Sequence, residues 1–161
     1  MLMMAAFACL SIYTFSAETG TESAERSGQL TEWVRENVAE HVENSETGRK
    51  VAEKVKELVV RYSPYGSNWD QNIRKLAHFS EYFLLATLLY IVLSILKVPW
   101  WMKLFLVVGA CGLVACFDEL HQGSVAGRGM SAKDVLIDTA GAFTATLIYT
   151  ILGRFWKWLG S

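Results

Sequence analysis

Residues 104–138 read LFLVVGACGLVACFDELHQGSVAGRGMSAKDVLID. From Leu104 to Phe117 there is no charge at all. Asp118, Glu119, His121, Gln122, Arg128, Lys133 and Asp134 then arrive in close succession, and a second apolar run opens at Val135 with Asp138 inside it. An uncharged run, a short ionisable stretch and another apolar run form the pattern of two lipid-crossing helices joined by a polar loop.

Working outward, Trp100 and Trp101 lead the first run, where an aromatic belt sits at a membrane interface, so this span covers residues 100–117. The second covers about Val135 to Leu152. Upstream, Leu76 to Leu96 is 21 residues of mostly apolar chain, interrupted by His78, Ser80 and Glu81, and KVPWWMK (97–103) makes the turn after it. Met1 to Phe15 is apolar but shorter than the ~20 residues a bilayer span needs. The preferred reading is a first transmembrane helix, either extended by Ser16 and Ala17 or cut short by a start placed too far downstream. A signal peptide with TFSA as its cleavage site is the alternative, although it lacks a basic n-region.

Composition agrees. The chain has 161 residues, 52% of them hydrophobic, with six tryptophans and two prolines. A net charge of −1 without an Arg/Lys stripe excludes nucleic acid as a partner on electrostatic grounds. Residues 17–76 hold nine of the fifteen Lys/Arg and eleven of the sixteen Asp/Glu, which leaves the remainder sparsely charged. Cys9, Cys111 and Cys116 all fall in apolar segments without Cys-x-x-Cys spacing, and read as small buried hydrophobes.

Residues 18–28 read as a polar linker. Beyond it, Trp33, Val34, Val38, His41 and Val42, then Val51, Val55, Leu58, Val59 and Tyr62, recur at helical spacing on either side of Asn44 to Gly48. They predict two amphipathic helices within 29–62, packing on each other or lying on the membrane surface. His41 reads as an ordinary, partly buried histidine. Tyr62-Ser-Pro-Tyr-Gly-Ser ends the pair, and Asn68 with Gln71 is a capping pair for the next helix. Lys97 and Lys103 flank one short turn with no acid nearby, and Arg154 and Lys157 stand in the tail. The positive-inside bias therefore puts both termini in the cytoplasm and residues 17–76 and 118–134 outside. The predicted fold is all-α: a single multi-pass membrane domain of four transmembrane helices with two amphipathic helices in the first extracytoplasmic loop.

Three polar clusters fall on that outer side. Lys75, His78 and Tyr82 share one helix face, with Glu81 close by. Asp118, His121 and Gln122 do the same if the third span continues past Phe117. Asp134, Asp138 and Gly141 form the third set. A charge in lipid costs ~2.5–3.5 kcal/mol, so such groups turn inward and find partners. Arg128 is the natural bridge between carboxylates, with Lys75 and Lys133 as further cations. Five acids against three bases imply a bound cation, a protonated carboxyl or a histidine held positive. His78, Asp118 and His121 are the candidate metal ligands, although no tight ligand motif is present. Structural roles stand beside each of these. Asp118, Arg128 and Asp134 also fit an ion-pair network fixing the loop, and His78 fits a hydrogen-bonded packing residue. Glu119 and Lys133 fit a solvated or headgroup-facing surface, and Gly141 fits close helix packing. No cofactor is identified.

The pattern Lys75-x-x-His78-x-x-x-Tyr82, then Asp118-Glu119-x-x-Gln122, Arg128, Asp134-Val135 and Gly141, resembles the VanZ-like family of bacterial integral membrane proteins. Asp138 departs from the asparagine expected there, the first segment is short, and the pair at 29–62 lengthens the outer loop. The resemblance implies a cell-membrane protein linked to low-level resistance to teicoplanin, a glycopeptide with a fatty acyl chain that acts outside the membrane. Three functions follow as expectations. The leading one is an envelope-protection protein in which Lys75, Arg128 and Lys133 engage an anionic headgroup, a lipid-linked cell-wall precursor or the lipoglycopeptide, while His78, Tyr82, Glu119, Gln122 and the aspartates line the site. The second is an intramembrane enzyme acting on a lipid, lipopeptide or phosphate ester, with His78 or Asp118 as base, Glu119 or His121 as acid, and Arg128 stabilising negative charge. The third is a structural scaffold.

Overall fold

The computed structural model describes residues 2–34, 36, 37, 42, 45–63 and 65–159. His41 and Asn44 lie outside the described residues. Those described form six helices and no strand: α1 (Leu2–Ser16), α2 (Gly20–Val34), α3 (Glu46–Tyr62), α4 (Trp69–Ile95), α5 (Trp100–Gln122) and α6 (Ala132–Leu159). The chain divides into two compact units, Met1–Thr19 with Ala77–Ser161, and Gly20–Leu76.

Among the described residues, three helices are long and apolar enough to cross a membrane: Trp69–Ile95, Trp100–Gln122 and Ala132–Trp156. At 1.5 Å per residue, α5 is about 34 Å long, enough for a hydrocarbon layer of about 30 Å. What they expose is as telling as their length. Phe105, Phe117 and Leu136 are 73%, 70% and 69% exposed, a surface suited to lipid rather than water. Inside, the packing uses small residues: Ala86, Cys111, Ala115, Ala142 and Ala145 are buried around Leu85 and Val107. With no hydrophobic driving force between helices in lipid, close backbone approach supplies the attraction. Gly112 sits against Thr139 of α6, 3.7 Å from where its Cβ would be, and Gly141 of α6 lies so near α4 that an added Cβ would run into the Phe79 carbonyl.

Polar side chains inside the spans satisfy themselves locally. The hydroxyls of Thr87, Ser94, Thr144 and Thr146 each donate to the carbonyl four residues earlier. At the Ile95 end of α4, Tyr90 is buried and stacked on Tyr149, its ring 5.7 Å away. Lys103 Nζ lies 4.4 Å from the Tyr90 ring and donates to Ser94 Oγ at 2.8 Å. The turn between α4 and α5 is closed by Lys97, which takes a left-handed conformation at φ 57°. Its N–H reaches Ser94 O at 3.1 Å, and the Val98 N–H reaches Leu93 O at 3.0 Å, the pattern of a helix ended by a left-handed residue. A side chain in that region costs roughly 1–2 kcal/mol. Lys97→Gly is therefore expected to raise the melting temperature by roughly 2–4 °C in a circular-dichroism melt of the detergent-solubilised protein.

In the second unit, the stretch 18–28 expected to be a linker is helical from Gly20 onward. Its polarity concealed a periodic face: Ser23 and Ser27 are buried at four-residue spacing, and Thr31, next in that series, donates to Ser27 O at 2.8 Å and to Asp70 Oδ1 at 2.9 Å. Ser45 caps α3, accepting the Gly48 N–H at 3.0 Å. Gly66, at φ 55°, turns the chain after α3, and Asn68 Oδ1 accepts the Gln71 N–H at 3.2 Å to open α4. On α3, Val51, Val55 and Leu58 remain exposed.

Candidate functional site

The helix α5 does continue past Phe117, to Gln122, and this places Asp118, His121 and Gln122 within its last two turns. On α4, His78 and Tyr82 lie one turn apart at the start of the membrane-crossing part. On α6, Asp138 lies one turn before Gly141, whose contact with Phe79 draws the two helices together. One end of the bundle thus collects a polar group from each of three spans. The donor atoms of His78, Asp118 and Asp138 all lie within 4.8 Å of one another. Asp118 and Asp138 are 7% and 2% exposed, and His78 is half-buried.

Each member is held by its surroundings. Gln122 Nε2 donates to Asp118 Oδ2 at 2.7 Å, which orients the carboxylate along its own helix. His78 Nδ1 is 3.9 Å from Glu81 Oε2. Tyr82 is fully buried, in the electrostatic reach of both Asp118 and Asp138, and its hydroxyl has no hydrogen-bond partner among the described residues. The end of α1 closes over this region. Ser16, also fully buried, donates its hydroxyl to the Asp118 carbonyl at 3.4 Å, while Arg128 donates to the Ser16 carbonyl at 3.3 Å. The Arg128 charge reaches Asp118 as well.

Other residues singled out in the sequence fall elsewhere. His121 is not in the group of three donors; its ring stacks on Tyr13 of α1, with centroids 4.9 Å apart. The third donor is Asp138, which the sequence placed in the third polar cluster but not among the candidate metal ligands. Glu119, read from the sequence either as a site residue or as a solvated surface group, is buried, and its carboxylate accepts the Ser131 N–H, which ties the end of the polar loop to α5. Neighbouring helical residues point about 100° apart, so Glu119 does not share the face of Asp118; its burial comes from the loop that folds back onto it at Ser131. Asp134 sits half-buried in the first turn of α6, where a carboxylate suits the positive end of the helix dipole, and Lys133 is exposed. Lys75 belongs to the second unit, with Nζ 5.9 Å from the Tyr65 ring. Ser16 and Tyr13 were missed as partners because nothing in an apolar helix ending in serine announces a contact a hundred residues away.

Two cavities are walled by α1, and one of them is lined by Asp118 of the cluster. One, of about 310 Å³, is apolar, with Phe7, Leu84 and Leu88 in its wall and Glu81 at its polar edge. The other, of about 210 Å³, runs beside Tyr13, Phe117, Asp118 and His121. An apolar groove beside buried carboxylates, an imidazole and a phenol can seat an alkyl chain with a polar head, share protons, or hold a cation.

These features define a helical membrane protein with a polar cluster built from three helices at one bundle end. It belongs to the VanZ/LLP1 family, whose model matches residues 1–153. No curated protein and no solved structure matches the chain.

Proposed function

We propose that this protein protects the cell envelope, lowering susceptibility to lipidated glycopeptides such as teicoplanin by binding the lipidated drug or a lipid-linked cell-wall precursor at the three-helix polar cluster. The observation that carries the reading is the convergence of His78, Asp118 and Asp138 within 4.8 Å, with an apolar groove that reaches Glu81, 3.9 Å from His78. Burying such groups near lipid is costly, and a helical scaffold has no need of them. In this reading α1 is a fourth, short span. The termini are cytoplasmic, and the cluster faces outward, as the Lys97/Lys103 turn at the other end of α4 and α5 supports. α3, with Val51, Val55 and Leu58 exposed on its apolar face, lies on the membrane surface. The groove along Phe7, Leu84 and Leu88 takes an acyl chain, and the polar cluster takes the head.

Proximity of an imidazole to two carboxylates also favours a second reading, an intramembrane enzyme using them as an acid–base set. Turnover of a lipid ester or phosphate ester by the purified protein would favour that reading.

The test is drug susceptibility of a Gram-positive host producing this chain. Wild type is expected to raise the inhibitory concentration of teicoplanin and leave that of vancomycin, which has no acyl chain, unchanged. An unchanged value for both drugs would remove the resistance assignment.

A further inference from the structure

We infer that His78, Asp118 and Asp138 form a binding site for one divalent transition-metal ion, such as Mn²⁺ or Zn²⁺. The three donors come from three different helices, so no local sequence preference brings them together; the bundle does. Their atoms lie within 4.8 Å of one another. In a bound site with metal–ligand distances of about 2.0–2.2 Å, neighbouring donors stand about 3–3.5 Å apart. Small side-chain rotations close that difference, and the backbone stays in place.

A second observation points to a ligand independently of the acids. The Tyr82 hydroxyl is buried one turn beyond His78, in the reach of both aspartates, and has no hydrogen-bond partner among the described residues. A buried hydroxyl left unpaired costs roughly 1–3 kcal/mol, and an ion-bound water between the aspartates would satisfy it. Electrostatics agree. Two carboxylates with one divalent ion are neutral as a group, which makes their burial near lipid tolerable. An imidazole with two carboxylates suits Mn²⁺ or Zn²⁺ better than Mg²⁺ or Ca²⁺, which favour all-oxygen shells. Three protein donors leave positions open for water or for a phosphate oxygen. Gln122, bonded to Asp118 Oδ2, is the outer group that fixes the ligand's orientation.

The site goes beyond the envelope reading and does not depend on it, because its test contains no drug. Full-length protein in lipid nanodiscs, stripped with a chelator, is titrated with Mn²⁺ while free ion is followed by electron paramagnetic resonance, with Zn²⁺ as competitor. Wild type is expected to bind one ion per chain. Asp138→Asn is expected to weaken binding at least tenfold, and Lys50→Ala, on the exposed face of α3, to leave it unchanged. Should Asp138→Asn lose its helical signal, His78→Gln reads the same site. Wild type that takes up neither ion, or folded variants that bind as wild type does, would overturn the assignment.

Discussion

Gly141→Val is expected to leave almost no folded protein in the membrane. The Cβ it introduces would run into the carbonyl, C and Cα of Phe79, all of them main-chain atoms of α4. A side chain in the way can rotate aside, but a helix backbone cannot. Overpacking a well-packed core usually costs about 1–3 kcal/mol. Here relief requires moving α4 away from α6, and that motion separates His78, next to Phe79, from Asp138, one turn before Gly141. Stability and site should therefore be lost together. Gly141→Ala should show the same effect in milder form, lowering the melting temperature by roughly 2–12 °C. Gly109 is the internal control: it also lies mid-helix, but an added Cβ there has nothing within 4 Å. Gly109→Ala should be neutral or stabilising by about 0.5–1 kcal/mol. Fluorescence-detected size exclusion of membrane extracts, followed by thermal melts of the monodisperse fraction, reads all three. A well-folded Gly141→Val protein would mean that α4 and α6 are not packed at this point.

The second large effect is expected from Asp118→Asn, with the opposite signature: function lost, fold kept. Asparagine has nearly the same shape and still accepts the Gln122 amide now bonded to Asp118 Oδ2 at 2.7 Å. Ser16 donates to the main-chain carbonyl of residue 118, which the substitution leaves in place, and also lies within hydrogen-bond reach of the carboxyl, where the asparagine Oδ1 can still accept. What disappears is an ionisable carboxyl that is 7% exposed. Removing a buried ionisable group relieves a desolvation cost, so the melting temperature should hold or rise, in the manner of functional residues kept at the expense of stability. If the cluster acts in envelope protection, the same change abolishes the teicoplanin shift given by wild type, measured at matched membrane levels. A variant that is clearly less stable and keeps its phenotype would instead make Asp118 a structural residue.

The long apolar helices were legible because lipid imposes a simple requirement of length and hydropathy, and α5 even announced its polar end by spacing Asp118, His121 and Gln122 at helical intervals. The first polar helix was not legible. Residues 18–28 carry no apolar stripe, and the buried face of Ser23 and Ser27 looks like a linker to any reading based on hydrophobicity. Within the polar cluster, helix faces could be read but partners could not. Asp138 stood out as a charge in an apolar run; that it meets His78 and Asp118, while His121 turns to Tyr13, depends on how three helices rotate about their axes. Glu119 was left open for a related reason. Its charge fitted solvent as well as a site, whereas its position at the loop's foot gave it the Ser131 N–H as a partner. Contacts from α1, such as Ser16 with Asp118 and Arg128, join residues 102 and 112 positions apart and leave no local trace.

The most direct measurement is equilibrium binding of acylated glycopeptide to the full-length protein in lipid nanodiscs, with empty discs subtracted. Recognition of a lipidated ligand by the three-helix polar cluster is what the proposed function requires. It predicts saturable binding of teicoplanin, none of vancomycin, and at least a tenfold loss of affinity in folded Asp118→Asn. Binding that does not saturate above empty discs, or that Asp118→Asn leaves intact, would contradict it.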